Sequence, residues 1–267
     1  MQKWFTLSEQ IIAYARYYIH AGRRKGRCVH SPLVNDFITS VLNDKKEYTA
    51  YDMAENNRKE LVKNKTPIDV TDMGAGSRAD NSDKRSVAAI AKHASVKPKF
   101  GRLLFRITRY YKPDRVIELG TSLGISTHYL ALGNPDARVI TMEADPNLAT
   151  MAVACFRKHN LMNVELINDT FDNTLPILMF EPPVRTLAFI DGKHDQSATL
   201  RYAGFFFSKI PDGSIVIIDD INWSKGMRQA WKEIRENKRN TVTLDLFSMG
   251  IVFQQTRFFK ENYTIRF

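Results

Sequence analysis

Three short stretches carry residue types that could do chemistry together. The first is Val116-Ile117-Glu118-Leu119-Gly120-Thr121-Ser122-Leu123-Gly124-Ile125-Ser126-Thr127, an apolar run that ends in an acid, turns at a glycine and opens a helix at a second glycine. Gly120 lets the backbone pass close to a ligand, and Gly124 relieves crowding where the helix starts. The second stretch is Ile190-Asp191-Gly192-Lys193-His194-Asp195, and the third is Ile218-Asp219-Asp220-Ile221-Asn222-Trp223. Both are apolar runs closed by acids. A hydroxyl nucleophile held there would gain from a general base, which His194 can supply near neutral pH, or from a metal that favours its deprotonated form.

These residues need elements to position them. Apolar runs at 116–119, 139–142, 164–167, 187–190 and 215–218 alternate with helical patterns at 125–133, 147–159, 173–180, 196–209 and 223–237. Continuous apolar runs separated by helices imply buried parallel strands joined by right-handed crossovers. Residues 241–246 and 251–254 flank Phe247-Ser248-Met249-Gly250 and read as a closing hairpin. The expectation is a doubly wound, mostly parallel seven-stranded α/β sheet, with ligands beyond the carboxyl ends of its strands.

Ahead of the sheet, Leu7, Ile11, Ile12, Tyr14, Ala15, Tyr18 and Ile19 recur at helical spacing, so residues 6–20 read as an amphipathic helix. A second helix is expected from Ser31-Pro32, with Ser31 as N-cap, a polar third helix over 46–64, and further helices over 85–95 and 99–111. Asp72-Met73-Gly74-Ala75-Gly76-Ser77 imitates the acid-glycine turn, but no buried strand series follows it, and it reads as an ordinary loop. The organisation expected is a helical extension over 1–95 and a catalytic domain over 96–267.

A dinucleotide fingerprint would have glycine where Glu118 stands. A carboxylate there repels pyrophosphate and suits a cationic ligand; S-adenosylmethionine (SAM), with a sulfonium and an α-ammonium, fits that chemistry. With Glu118-Leu119-Gly120-Thr121-Ser122-x-Gly124-x-Ser126-Thr127, and the lead-in from Phe100-Gly101-Arg102 to Pro113, the sequence resembles the class I SAM-dependent methyltransferases over residues 99–255. It is most similar to the small-molecule O-methyltransferases related to catechol O-methyltransferase. The alternative is a nucleotide-type fold that does not use SAM.

The resemblance implies SAM contacts from Glu118, Gly120, Thr121, Ser122, Gly124 and Ser126. It implies ribose recognition by Glu143, 25 residues after Glu118, with Ala144 beside it. Asn168, Asp169 and Thr170 would border the adenine. In the catechol-type enzymes a fourth-strand Asp and a fifth-strand Asp-Asn pair bind a divalent metal, and a Lys three residues after the first Asp is the base. Here the first Asp is Asp191, the pair becomes Asp219-Asp220, and the base position holds His194; Lys193 stands in a different register. Oxygen ligands suit Mg²⁺. The competing reading has Asp191 orienting SAM or substrate and Asp220 capping the next helix. Asp191, His194 and Asp220 are the catalytic candidates, and the metal stays open. His20, His30, His93, His128 and His159 show no metal-ligand spacing with one another.

Composition bounds the partners. The 267 residues carry 39 Lys or Arg and 29 Asp or Glu, a net charge of +10. Residues 1–115 hold 23 basic and 12 acidic side chains, the rest 16 and 17, so the whole excess precedes the catalytic sheet. Two cysteines exclude a disulfide framework. No apolar run approaches the roughly 18 residues of a membrane span, and the N-terminus lacks the apolar core of a signal peptide, so a cytoplasmic location is expected. Arg23-Arg24-Lys25-Gly26-Arg27 suits an anion, although a solvated loop is the plainer reading. Residues 181–184 (Glu-Pro-Pro-Val) precede the fourth strand and do not match the Asn/Asp-Pro-Pro-Tyr segment of amino-directed enzymes. The expected function is methyl transfer to a hydroxyl of a small molecule, with residues 1–95 shaping the acceptor pocket or a homodimer contact. The alternatives are an RNA O-methyltransferase, and a non-catalytic SAM-fold protein that holds an anionic partner.

Overall fold

Every apolar run read as a strand is a strand in the computed structural model, which describes residues 6–21, 30–70, 84–178, 181–239, 241–255 and 259–267. The chain opens with α1 (Leu7–His20), α2 (Pro32–Asp36), which passes directly into a π-helical turn (Phe37–Leu42), and α3 (Thr49–Lys63). A short antiparallel pair, β1 (Pro67–Asp69) and β2 (Lys84–Ser86), precedes α4 (Val87–His93) and α5 (Pro98–Tyr111). Strands and helices then alternate: β3 (Arg115–Leu119), α6 (Ile125–Gly133), β4 (Arg138–Met142), α7 (Pro146–Lys158), β5 (Val164–Ile167), α8 (Phe171–Leu178), β6 (Thr186–Ile190), α9 (Gln196–Lys209), β7 (Ser214–Ile218) and α10 (Lys225–Glu236). The chain closes with β8 (Val242–Asp245), β9 (Gly250–Gln254) and β10 (Glu261–Thr264).

The chain divides into two compact units, Lys45–Pro182 and Met1–Asp44 with Pro183–Phe267. In the first, β3, β4 and β5 pair in parallel in that order. Every residue of β3 is buried, as a strand covered on both faces requires. The β3–β4 register sets Glu118 opposite Thr141 and Leu119 opposite Met142. In the second, the order is β10-β8-β9-β7-β6, with β6/β7 and β8/β10 parallel and β9 antiparallel to both neighbours. β6 and β7 are also buried throughout, and their register sets Ile190 beside Ile218, so Asp191 and Asp219 leave adjacent strand ends. The fold is doubly wound and mostly parallel, as expected.

Local signals explain most helix starts. Thr6 accepts a hydrogen bond from the Glu9 amide while the Glu9 carboxylate accepts from the Thr6 amide, a capping box that begins α1. Asp145 caps α7 with Pro146 at the first helical position. Asp195 and Ser224 cap α9 and α10.

Four expectations need correction. Among the described residues the strands of the two units number eight beyond the β1–β2 pair, not seven, because β10 adds in parallel to β8. β10 is a short, half-exposed edge strand without an apolar run to announce it. Residues 84–86 are strand, so the helix expected over 85–95 starts at Val87, where Ser86 caps it. Ser31 precedes the first residue of α2, but its side chain makes no cap hydrogen bond. The polar 46–64 segment is a helix, yet Tyr51, Ala54, Asn57 and Leu61 form a buried stripe along it. The imitation turn at 72–77 lies outside the described residues.

Candidate active site

The end of β3 holds a carboxylate in an unusual state. Glu118 is fully buried. Its Oε2 accepts hydrogen bonds from the Thr127 hydroxyl at 2.5 Å and the Thr141 hydroxyl at 2.7 Å, while Thr121 and Thr141 share a 2.6 Å hydroxyl contact. Its Oε1 is buried and has no hydrogen-bond partner among the described residues. Burial pushes the carboxyl up to about 7, against the hydrogen bonds from Ser126, Thr127 and Thr141 that favour the ion. A buried acceptor with no donor costs about 1–3 kcal/mol. A cationic or donating ligand group reaching that oxygen would remove the penalty. This is the observation that fits SAM to the site.

The turn above it is built for close approach. Gly120 has φ 105°, Ser122 φ 48° and Gly124 φ 76°. The Gly120 and Thr121 amides both donate to the Met142 carbonyl at 3.1 Å, which ties the turn to the end of β4. A Cβ on Gly124 would come within 2.5 Å of the Phe156 ring, so this glycine is required both by conformation and by the packing of α6 on α7. Glu143, half-buried at the end of β4, accepts from the Ser122 amide at 2.8 Å and the Asp145 amide at 2.9 Å. Burial raises its carboxyl as well. Ala144 is half-buried beside it, and Asn168, at the end of β5, donates to the Glu143 carbonyl at 2.7 Å. Asp169 and Thr170 sit before α8. The exposed Asp169 carboxylate accepts from the Thr170 amide and the Asn173 side chain, and the Asn173 amide chiefly holds its pKa down.

The other unit gathers a second set. The Asp219 amide donates to the Ile190 carbonyl at 3.0 Å, and the Asp220 amide donates to the Asp219 carboxylate at 2.9 Å. Asp219 is recessed, and its pKa rises well above the ordinary range because of burial and then the neighbouring Asp191 and Asp220 carboxylates. His194 Nε2 stands 3.6 Å from Asp191 Oδ1, just beyond a hydrogen bond. Lys193, His194 and Asp220 all have positive φ, at 60°, 24° and 53°. Three non-glycine residues in that region at two adjacent strand ends are the strain pattern of functional loops. Asp220 does not cap α10; Ser224 does, accepting from the Met227 amide at 3.1 Å. The Asp220 carbonyl instead accepts from the Trp223 amide at 2.8 Å. Of Phe205–Phe207 only Phe206 is fully buried.

Among the described residues no group of three or more His, Cys, Asp or Glu side chains is placed to hold a metal ion. No step is assigned to magnesium. The hydroxyls of Thr127 and Thr141 around Glu118 were not anticipated, although parallel register alone sets Thr141 opposite Glu118. Nor was a pairing of His128 with His159, whose ring nitrogens meet at 2.8 Å. Thirty-one residues of sequence separate them, and only the packing of α6 on α7 brings them together.

Comparison with known proteins agrees with the geometry. A family model described as a methyltransferase domain matches residues 117–221, from β3 to the loop after β7. A catechol O-methyltransferase of Mycobacterium tuberculosis is 29% identical over 138 residues, 51% of this chain and 61% of its own length. A tRNA (guanine-N(7)-)-methyltransferase of Mycoplasma mobile is 32% identical over 80 residues, 30% of this chain and 40% of its own. The chain thus spans about three fifths and two fifths of these relatives. The crystal structure of an O-methyltransferase from Bacillus cereus in complex with SAH superposes with a TM-score of 0.54 at 20% identity, over 83% of this chain and 97% of that one. The stretch from β3 to the loop after β7 thus matches a methyltransferase domain, and the fold is that of the solved O-methyltransferase.

Proposed function

We propose that this protein transfers the methyl group of SAM to a hydroxyl of a small molecule. The observation that carries the reading is Glu118, a buried carboxylate with one unpartnered oxygen beneath a turn that bends at Gly120. The catechol O-methyltransferase relative and the SAH-bound Bacillus cereus structure support it. When bound, SAM supplies an electrophilic methyl on a sulfonium.

The chain's own residues do the rest. Glu118 favours the cationic end of the cofactor. The Gly120, Thr121, Ser122, Gly124 and Ser126 turn shapes its bed, Glu143 with Ala144 receives the ribose, and Asp169 and Thr170 border the adenine. His194 accepts the proton of the acceptor hydroxyl at a ring nitrogen, Asp191 stabilises the imidazolium, and Asp220 orients the acceptor. Much of the rate then comes from holding acceptor oxygen and methyl in line. Residues 1–95 serve as an accessory segment, and 96–267 carry the cofactor chemistry. No described helix is long and apolar enough to cross a membrane, and we place the enzyme in the cytoplasm.

The test is thermal stabilisation by SAM or SAH, present in the wild type and lost in Glu118→Ala and Gly120→Val variants that still fold. A folded wild-type protein that neither ligand stabilises would overturn the reading. Labelled methyl from SAM, offered to a metabolite extract and to total RNA, then separates a small-molecule acceptor from RNA. Binding without transfer to either would mark a non-catalytic SAM-fold protein.

A further inference from the structure

Helix α1 is amphipathic in sequence, but its apolar face is turned to solvent. At 100° per residue, Ile11, Ile12, Tyr14, Ala15, Tyr18 and Ile19 span an arc of roughly 160°. Ile19 is 71% exposed, Ile11 60% and Ile12 52%, with Tyr14 and Tyr18 about half exposed. The opposite side holds the helix in place. Tyr17 is buried there, donates its hydroxyl to the Ile265 carbonyl at 2.5 Å and accepts from the Phe267 amide at 3.0 Å. Glu9, on that side as well, pairs with Lys225 at 2.8 Å. A helix normally hides such an arc in the core. Here it is an exposed apolar surface of the kind that marks an interaction site.

The charge around the arc narrows the occupant. Arg16 is exposed on the same helix, the Arg266 guanidinium lies 4.2 Å over the Tyr18 ring, and Glu9, the acid of α1, is already neutralised by Lys225. In sequence, residues 1–30 hold six Lys or Arg against one acid, and four of the six follow α1 directly at 23–27. A second copy of this chain would set the same patch against itself, Arg16 and Arg266 against their own copies, which like charge disfavours. Nucleic acid would use the cations and leave the isoleucines without a role. An anionic bilayer uses both: isoleucines in the acyl boundary, tyrosines at headgroup level and guanidiniums on lipid phosphates.

We propose that α1 is an interfacial anchor that docks the protein on an anionic phospholipid surface without crossing it. None of the residues of this face is among those assigned to methyl transfer, so the proposal stands or falls independently of that function.

The test is flotation of the full-length protein with vesicles of phosphatidylglycerol and phosphatidylcholine, against vesicles of phosphatidylcholine alone. Binding to the anionic vesicles is expected, weakening as salt rises. Ile11→Glu with Ile19→Glu should lower the vesicle affinity by about tenfold or more, because two apolar anchors are lost and acids added. Both positions are exposed, so the melting temperature should not change; Ile11→Ser with Ile19→Ser provides the same test without new charge. Three results would overturn the proposal. The first is a wild type that ignores anionic vesicles at low salt. The second is a wild-type dimer that does not bind vesicles and becomes monomeric in the isoleucine variants, which assigns the face to a second copy. The third is vesicle binding insensitive to the isoleucines and abolished by competing RNA, which assigns the cations to nucleic acid.

Discussion

Thr141 sits opposite Glu118 across the β3–β4 ladder, and its hydroxyl donates to the Glu118 carboxylate at 2.7 Å. With Thr127 on the other side, it steadies a charge that burial otherwise opposes. Thr141→Val keeps the shape and removes one donor. We expect a loss of about 1–2 kcal/mol in unfolding free energy, measured by urea denaturation, together with a further rise in the Glu118 pKa. No change in either quantity would mean that the hydroxyl contributes nothing.

The raised pKa of Glu118 has a pH signature. Its carboxyl moves from 4.5 up to about 7 on folding, so between those values the native state holds a proton that the unfolded chain has released. Stability from this group is therefore present below about pH 4.5 and is lost as pH rises through 7, by up to roughly 3 kcal/mol. His128 acts in the opposite sense. Burial lowers its imidazole from 6.5 to about 4, so stability linked to it is present above 6.5 and is lost as pH falls through 4. The two nearly cancel across the shared window. Glu118→Gln should expose a stability that rises with pH from about 4 to 6.5, and His128→Gln one that falls from about 4.5 to 7. Denaturation midpoints at several pH values check both slopes.

Cofactor binding should report the same proton. A cationic ligand favours the ionised carboxylate, so SAM binding at pH 6 should release a proton from Glu118. Calorimetry in two buffers of different ionisation enthalpy measures that release. Its persistence in Glu118→Gln would assign the proton to another group.

Gly124 combines φ 76° with a Phe156 ring 2.5 Å from where its Cβ would stand. Gly124→Ala should destabilise the protein by about 2 kcal/mol or more, from backbone strain and overpacking together. Adding Phe156→Leu should recover the packing part and leave the strain, a coupling that a double-mutant cycle resolves.

His194 gives a kinetic test once an acceptor is in hand. His194→Gln should lower kcat by about 10²–10⁴ and leave SAH affinity unchanged. Equal loss of SAH binding would point to a structural part for His194 instead.

The sequence by itself determined what depends on neighbours close along the chain. The apolar runs of β3, β6 and β7, the glycine turn from Gly120 to Gly124, and the Asp145-Pro146 helix start are short-range patterns, and each is where its pattern put it. Tertiary structure decided the rest because the partners are distant. Thr141 reaches Glu118 only when two strands pair in register, and His128 meets His159 only when α6 and α7 pack. Ser224, rather than the more conspicuous Asp220, caps α10 because the left-handed backbone at Asp220 turns the chain before the helix begins. The direction of α1 was hidden for the same reason. Periodicity says which residues share a face, but only Tyr17 bonded to Ile265, 248 residues away, says which face turns inward.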